Sequence, residues 1–212
     1  MLYIELLETN QQIENKIKAA FAEEINKTIE KNIKKLLQDA KDLVVRLISN
    51  SPEIQSLTHN SLGSLKAQFG LRDGQDLAAT IDIIQAVQDS VSVSFRKYSK
   101  DLKNGGLEVF FQRSDFANLL GLPSGHVIYE NGDLHWLSWL LTEGTRTIII
   151  GYYYDPETGV GRSGLGTMDE GGFFRVPPQF AGTLGNNFVT KALIGKQQEL
   201  EILRIFKSVL GQ

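Results

Sequence analysis

From Thr9 to about Asn50 the apolar residues Ile13, Ile17, Phe21, Ile25, Ile29, Ile33, Leu37, Ala40, Leu43, Val44 and Leu47 recur among polar ones, with no Gly or Pro between them. Steps of three and four place them on one helical face, so the pattern predicts one long amphipathic helix or two joined by a slight bend. At 1.5 Å per residue a helix of about 40 residues is roughly 60 Å long, too long for one compact domain of this size. Two expectations follow: the segment folds back near Glu23 to Asn26, or it projects and packs against another chain. Lys27, Lys31, Lys34, Lys35 and Lys41 lie on the polar side with Glu30, Asp39 and Asp42 interleaved, which reads as a solvated face rather than a nucleic-acid patch.

Ser51 and Pro52 end this helix, because a proline pushes the residue before it out of the α region and cannot donate the next helical bond. A shorter helix can start at Pro52; Gly63 and Gly70 punctuate the stretch Leu62 to Leu71. Leu77 to Gln88 reads as another amphipathic helix with Leu77, Ile81, Ile84 and Val87 inward. At Ser90 the period changes to two. Val91, Val93 and Phe95 alternate with polar residues, as do Leu107, Val109 and Phe111 with Glu108, Phe110 and Gln112, and Lys103-Asn104-Gly105-Gly106 between them makes a β-hairpin.

Further strands are expected at His126 to Tyr129 and Arg146 to Tyr154. Between them Leu134, Trp136, Leu137, Leu140 and Leu141 give a short helix that Gly144 can terminate. Asp155-Pro156-Glu157-Thr158-Gly159 is a turn, and the glycines from Gly159 to Gly172 suggest a mobile loop or arm. Phe188 to Ile194 and Leu200 to Val209 close the chain as helices. The expected fold is α+β: a long N-terminal helical segment packed on a mostly antiparallel β-sheet, with short C-terminal helices and a glycine-rich arm. Its organisation is a helical region, residues 1–89, followed by an α+β region, residues 90–212, with an extended loop over 155–178, the two forming one structural domain.

Composition narrows the function classes. The 212 residues carry 42% hydrophobic and 22% charged side chains, the profile of a globular chain rather than a disordered tail. With no cysteine, disulfide scaffolds, thiolate zinc, iron-sulfur clusters and thiol catalysis are excluded. A net charge of -3 argues against holding nucleic acid by phosphate neutralisation, although DNA can pass nearby. No apolar run reaches membrane-spanning length, and the start lacks a basic segment followed by a long apolar one, so the chain is expected to act in the cytoplasm or in a particle assembled there.

The candidate chemistry is sparse. Gly159-Val160-Gly161-Arg162-Ser163-Gly164 matches G-x-G-x-x-G, but that mechanism needs a helix to follow, and Leu165 to Gly172 cannot open one. The Ser94-Phe95-Arg96-Lys97 spacing lies in an alternating strand and reads as chance. His59, His126 and His135 are isolated, without a partner at helical ligand spacing, which leaves only a zinc site assembled from distant segments. Asp169-Glu170 sits where nothing dry holds a carboxylate for acid-base work. No catalytic residue, cofactor or metal ligand is therefore expected.

What remains is apolar surface: Trp136, Trp139, Phe110, Phe111, Tyr152-Tyr153-Tyr154 and Phe173-Phe174. Phe110 with Phe111, and Ile148-Ile149-Ile150, put apolar residues on both faces of their strands, and such a sheet must be covered on both by its own helices or by a neighbouring subunit. With the over-long helix and the glycine-rich arm, this favours a subunit of an assembly. The expected contact residues are Gly161, Arg162, Gly164, Met168, Phe173, Phe174 and Tyr153. Deleting Gly161 to Gly171 is expected to leave a folded monomer that fails to complete particles.

The order of features resembles the tail-completion, or type-one neck, proteins of tailed bacteriophages. The matching stretches are the helix up to Ile48, Ser51-Pro52-Glu53 with Ser61-Leu62-Gly63-Ser64-Leu65, Thr142-Glu143-Gly144-Thr145, and Val176-Pro177-Pro178 leading to Asn187-Phe188-Val189-Thr190-Lys191-Ala192-Leu193. The resemblance implies a structural virion protein assembled in the host cytoplasm. Such a subunit forms a homo-oligomeric ring, hexamer or dodecamer, between the portal-connector and the tail-tube or terminator proteins, with DNA passing the lumen unbound. It implies no catalytic residues and no membrane. Two alternatives stay open: a tail terminator, minor tail or baseplate protein, and a small-molecule-binding domain or enzyme using the Trp136 to Trp139 region and Tyr152 to Tyr154 as a pocket.

Overall fold

A computed structural model describes residues 8–129 and 132–209. The architecture is α+β. Its first element, α1 (Asn10–Ser49), is one continuous helix and does not fold back. It stops where expected. The Ser51 side chain accepts the amide of Ile54 and caps α2 (Pro52–Thr58), with Pro52 in the first turn, where its missing N–H costs nothing. After α3 (Leu65–Gln68) comes α4 (Gln75–Ser90). Its buried face is Asp76, Ala79, Ile83 and Val87. Leu77 and Ile81, expected to point inward, are 57% and 63% exposed. Both periodicities fit the sequence, and the buried face is the one holding small Ala79 and the ion-paired Asp76.

The strands form three separate two-stranded antiparallel sheets among the described residues, not one sheet. Helices or turns follow each hairpin and carry the chain away before a third strand can join. The first pair, β1 (Ser92–Arg96) and β2 (Gly106–Phe110), matches Val93 with Val109 and Phe95 with Leu107, as the alternation predicts. The helix α5 (Ala117–Leu120) and a 3₁₀ turn (Pro123–Gly125) lead to β3 (Val127–Tyr129) and β4 (Gly132–Leu134). The sequence pattern missed β4, assigning Leu134 to the helix that follows, α6 (Trp136–Leu141). Next come β5 (Ile149–Asp155), β6 (Thr167–Phe174), α7 (Phe188–Leu193) and α8 (Lys196–Val209).

Two compact units share the chain, and their boundaries differ from the expected division at residue 89. Of the described residues, one comprises those up to Ala40, Val91–Phe110 and those from Leu200; the other, those within Lys41–Ser90 and Phe111–Glu199. In the first, the Asn26 side chain grips the backbone of Tyr98 twice, donating to its carbonyl at 2.9 Å and accepting its amide at 2.8 Å. This clamp docks the connection between β1 and β2 on α1. Lys97 adds an ion pair to Glu30 at 2.7 Å. Lys27, Lys31, Lys34 and Lys35 are exposed, with Lys35 paired to Asp39 at 2.6 Å. Nearer the start of α1, Ile17 and Phe21 are 50% and 58% exposed.

In the second unit the core centres on Trp136, fully buried and stacked on Phe69 with ring centroids 5.4 Å apart. Leu57, Leu65, Ile83, Leu119 and Phe188 are buried with it. One buried cation stands out: the Lys66 ammonium donates to Asn60 at 2.7 Å and Asp73 at 2.6 Å, and pairs with the buried Asp76 at 2.8 Å. The hydrogen bonds from Lys66 to Asp73 and Asp76 raise its pKa, outweighing burial. For Asp76 burial acts upward, but the bond from Lys66, the amides of Leu77 and Gly74 and the Lys66 charge together hold the carboxyl below its usual range. All partners of this cation are supplied, which makes it a clamp between α3 and α4 rather than a nucleophile. No described helix is long and apolar enough to cross a membrane.

Candidate functional site

The Gly159 to Gly172 stretch, expected to be a mobile arm, is half strand. Thr167–Phe174 is β6, and it pairs with β5 through Ile149 and Phe174, Ile150 and Phe173, Tyr152 and Glu170, Tyr153 and Asp169, and Tyr154 and Met168. Between Ile150 and Tyr152 the register slips, so that β6 carries one residue more than β5. Gly171 and Gly172 stand there at φ of 110° and 61°, and Gly151 opposite at 90°. These glycines supply the left-handed backbone of a β-bulge, and the bulge breaks the period-two alternation that would have announced a strand. Deleting Gly161 to Gly171 therefore removes the partners of Tyr152 and Tyr153, and a folded monomer is no longer the expected product.

The loop ahead of β6 is pinned at several points. The Gly161 amide donates to the Gly166 carbonyl at 2.5 Å, and a side chain at Gly166 would run into the Tyr154 ring and hydroxyl. Tyr154 donates its hydroxyl to the Leu62 carbonyl at 2.5 Å. Arg162 donates Nη1 to the Ile128 carbonyl at 2.8 Å and lays its guanidinium over the Tyr129 ring, 5.2 Å from the centroid. The Tyr129 hydroxyl in turn donates to the Phe69 carbonyl at 3.0 Å. Burial raises the pKa of Tyr129, with the Arg162 charge pulling the other way. Because the chain continues from this loop into a strand, the glycines open no helix at which a pyrophosphate could sit.

The seven expected contact residues thus divide. Gly161 and Arg162 are half-buried, and Arg162 is engaged with β3 of its own chain. Phe174, at 4% exposure, belongs to the core and offers nothing to a neighbour, a correction to the expected set. Met168 is half-buried and Gly164 exposed. Tyr153 and Phe173 are open to solvent, and with them Ile149, Ile150 and Tyr152, Ile150 at 85%. Apart from the buried Phe174 and the half-buried Tyr154 and Met168, the apolar side chains of this hairpin are uncovered. Arg175 stacks its guanidinium 5.4 Å from the Phe173 ring centroid, an exposed cation and aromatic pair at the hairpin's base.

No family model, no curated protein and no solved structure matches this chain. Two of the short stretches that carried the resemblance, Ser51 to Glu53 and Asn187 to Leu193, lie side by side. Glu143 forms an antiparallel bridge with Thr183, the Gly144 amide donates to the Gly182 carbonyl at 2.8 Å, and the buried Asn187 side chain donates to the Leu141 carbonyl at 3.2 Å while capping α7. Gly182 lies so close to the Leu140 carbonyl that no β-carbon fits. Ser51, Pro52 and Glu53 line a cleft of about 310 Å³ with Phe188, Lys191 and Ala192. Burial raises the pKa of Glu53, against the pull of its own backbone amide and the Lys191 charge.

One cluster was not anticipated. His126 Nδ1 lies 2.8 Å from Asp133 Oδ1, His135 Nε2 lies 3.2 Å from Asp133 Oδ2, and the two imidazoles stack with centroids 4.9 Å apart and planes inclined by 8°. The histidines looked isolated in sequence because their link is the β3 and β4 register, and β4 was not foreseen.

Proposed function

We propose that this chain is a structural subunit of a tailed-phage particle, a neck or tail-completion protein whose copies form a ring joining the portal-connector to the tail. The observation that carries this reading is the β5 and β6 hairpin, which holds Ile150, Tyr152, Tyr153 and Phe173 exposed while Phe174 at its base joins the core. A chain that stays alone gains nothing by holding Ile150, Tyr152, Tyr153 and Phe173 in water. In a ring each copy presents one surface to a different surface of its neighbour, so such a hairpin finds its cover only on assembly. The exposed Ile17 and Phe21 of α1 fit the same account. Two of the stretches that carried the resemblance, far apart in sequence, lie side by side at Pro52 and Phe188.

In this reading the Lys-rich face of α1 stays solvated, the net charge of -3 leaves DNA unbound as it passes, and no chemistry is performed. The test is positional. Antibody to the purified protein, applied to particles from the source lysate and viewed by negative-stain electron microscopy, is expected to label the head-tail junction. Label at the tail tip instead assigns the chain to the terminator, minor tail or baseplate class. A protein absent from every particle overturns both.

A further inference from the structure

We propose that His126, Asp133 and His135 form a binding site for a divalent transition-metal ion of the zinc type. The site follows from strand register. Val127 stands opposite Leu134 in the β3 and β4 pair, and both are buried, at 3% and 9% exposure. Successive strand residues point to opposite faces, so burying Val127 and Leu134 turns the flanking positions 126, 133 and 135 to the other face together. Ile128, opposite Asp133, is 68% exposed and marks that face as the solvent side. His126, just ahead of β3, thereby meets Asp133 of β4 and His135 just after it. Among the described residues this is the group of three whose ligand atoms all lie within 4.8 Å of one another.

The donor set is two imidazole nitrogens and one carboxylate, which suits zinc and its neighbours in the first transition row rather than magnesium or calcium. Asp133 already bridges the two rings, so an ion entering between them replaces N–H protons shared with the carboxylate and needs only small side-chain rotations. Side-chain exposures of 24%, 40% and 60% leave an open approach and a fourth position for water. His135 also stands at the cap position of α6, directly before the core residue Trp136. A bound ion therefore ties the hairpin to the start of that helix and stabilises the folded chain by an amount that grows with the logarithm of free metal over its dissociation constant.

Isothermal titration of the full chain with Zn²⁺, read beside thermal melting with and without the metal, tests the site. One ion per chain and a rise in Tm are expected. His126→Gln and His135→Gln each weaken binding by more than about tenfold, about 1.4 kcal/mol, and abolish the rise, while keeping the metal-free Tm because both side chains reach solvent. His59→Gln, an exposed histidine outside the cluster, keeps the full affinity. No saturable binding by the unaltered chain, or equal affinity in the His126→Gln, His135→Gln and His59→Gln variants, overturns the proposal.

Discussion

The β3 and β4 hairpin and the β5 and β6 hairpin are built from the same unit and treat their two faces in opposite ways. In the first, Val127, Leu134 and the Tyr129 hydroxyl turn inward while His126, Asp133 and His135 turn out, so each face has its solvent. In the second, Ile149, Ile150, Tyr152, Tyr153 and Phe173 are exposed on both sides of a bulged ladder. A sheet with one covered face is complete in a monomer. A sheet that leaves most of its apolar residues uncovered is complete only when something else arrives. The contrast separates residues that hold the chain together from residues held ready for a neighbour, and mutations should sort accordingly.

The largest loss of stability is expected at the buried Lys66 and Asp76 pair. Lys66→Ala leaves Asp76 buried without its cation, and breaking a buried pair in this way costs about 3–5 kcal/mol, measured by urea unfolding. The same pair gives a pH signature. Because the Asp76 pKa is depressed on folding, its contribution is complete above the unfolded-chain value of about 3.9 and is lost as pH falls through the folded value. The acid limb of Tm against pH should flatten in Lys66→Ala. The Lys66 pKa is raised on folding, so its contribution is present below its usual 10.5 and is lost as pH rises through the higher folded value.

Next in size is the covered face itself: Leu134→Ala is expected to cost about 2–3 kcal/mol by chemical denaturation, the low end for a buried leucine because it retains 9% exposure. Gly182→Ala forces a methyl group against the Leu140 carbonyl, at about 1–3 kcal/mol, read as a lowered Tm. The smallest effect on the isolated chain is expected on the uncovered hairpin. Ile150→Ser should change stability by less than about 0.5 kcal/mol while abolishing incorporation into particles, scored by the same antibody label. If Ile150→Ser instead destabilises the monomer as Leu134→Ala does, the two hairpins are alike and the contrast is broken.

How much of this was legible in the sequence depended on whether a local pattern carried it. The extent of α1, the stop at Ser51-Pro52, the hairpin of β1 with β2 and the two closing helices all follow from short-range periodicity and capping, and the structure reproduces them. The arm was misread because a bulge at Gly171 and Gly172 hides a strand from any period-two template. Leu77 and Ile81 of α4 were misassigned, though Val87 was not, because two apolar stripes share that helix and periodicity does not say which one meets the core. Phe174 looked like Phe173, and only the ladder shows that one faces the core and the other water.

The sequence by itself determined most elements and the class: an α+β chain opening with a long helical segment, no thiol chemistry and an excess of apolar strand residues. These rest on propensity, spacing and composition, which act over a few residues. The tertiary structure alone decided which stripe is buried, that Lys66 sits among Asn60, Asp73 and Asp76, and that His126 stands beside Asp133 and His135. Those are meetings of residues whose positions are set by strand register and by helices packing across the fold. Burial and ion pairing depend on what lies opposite in space, and no window along the chain contains that information.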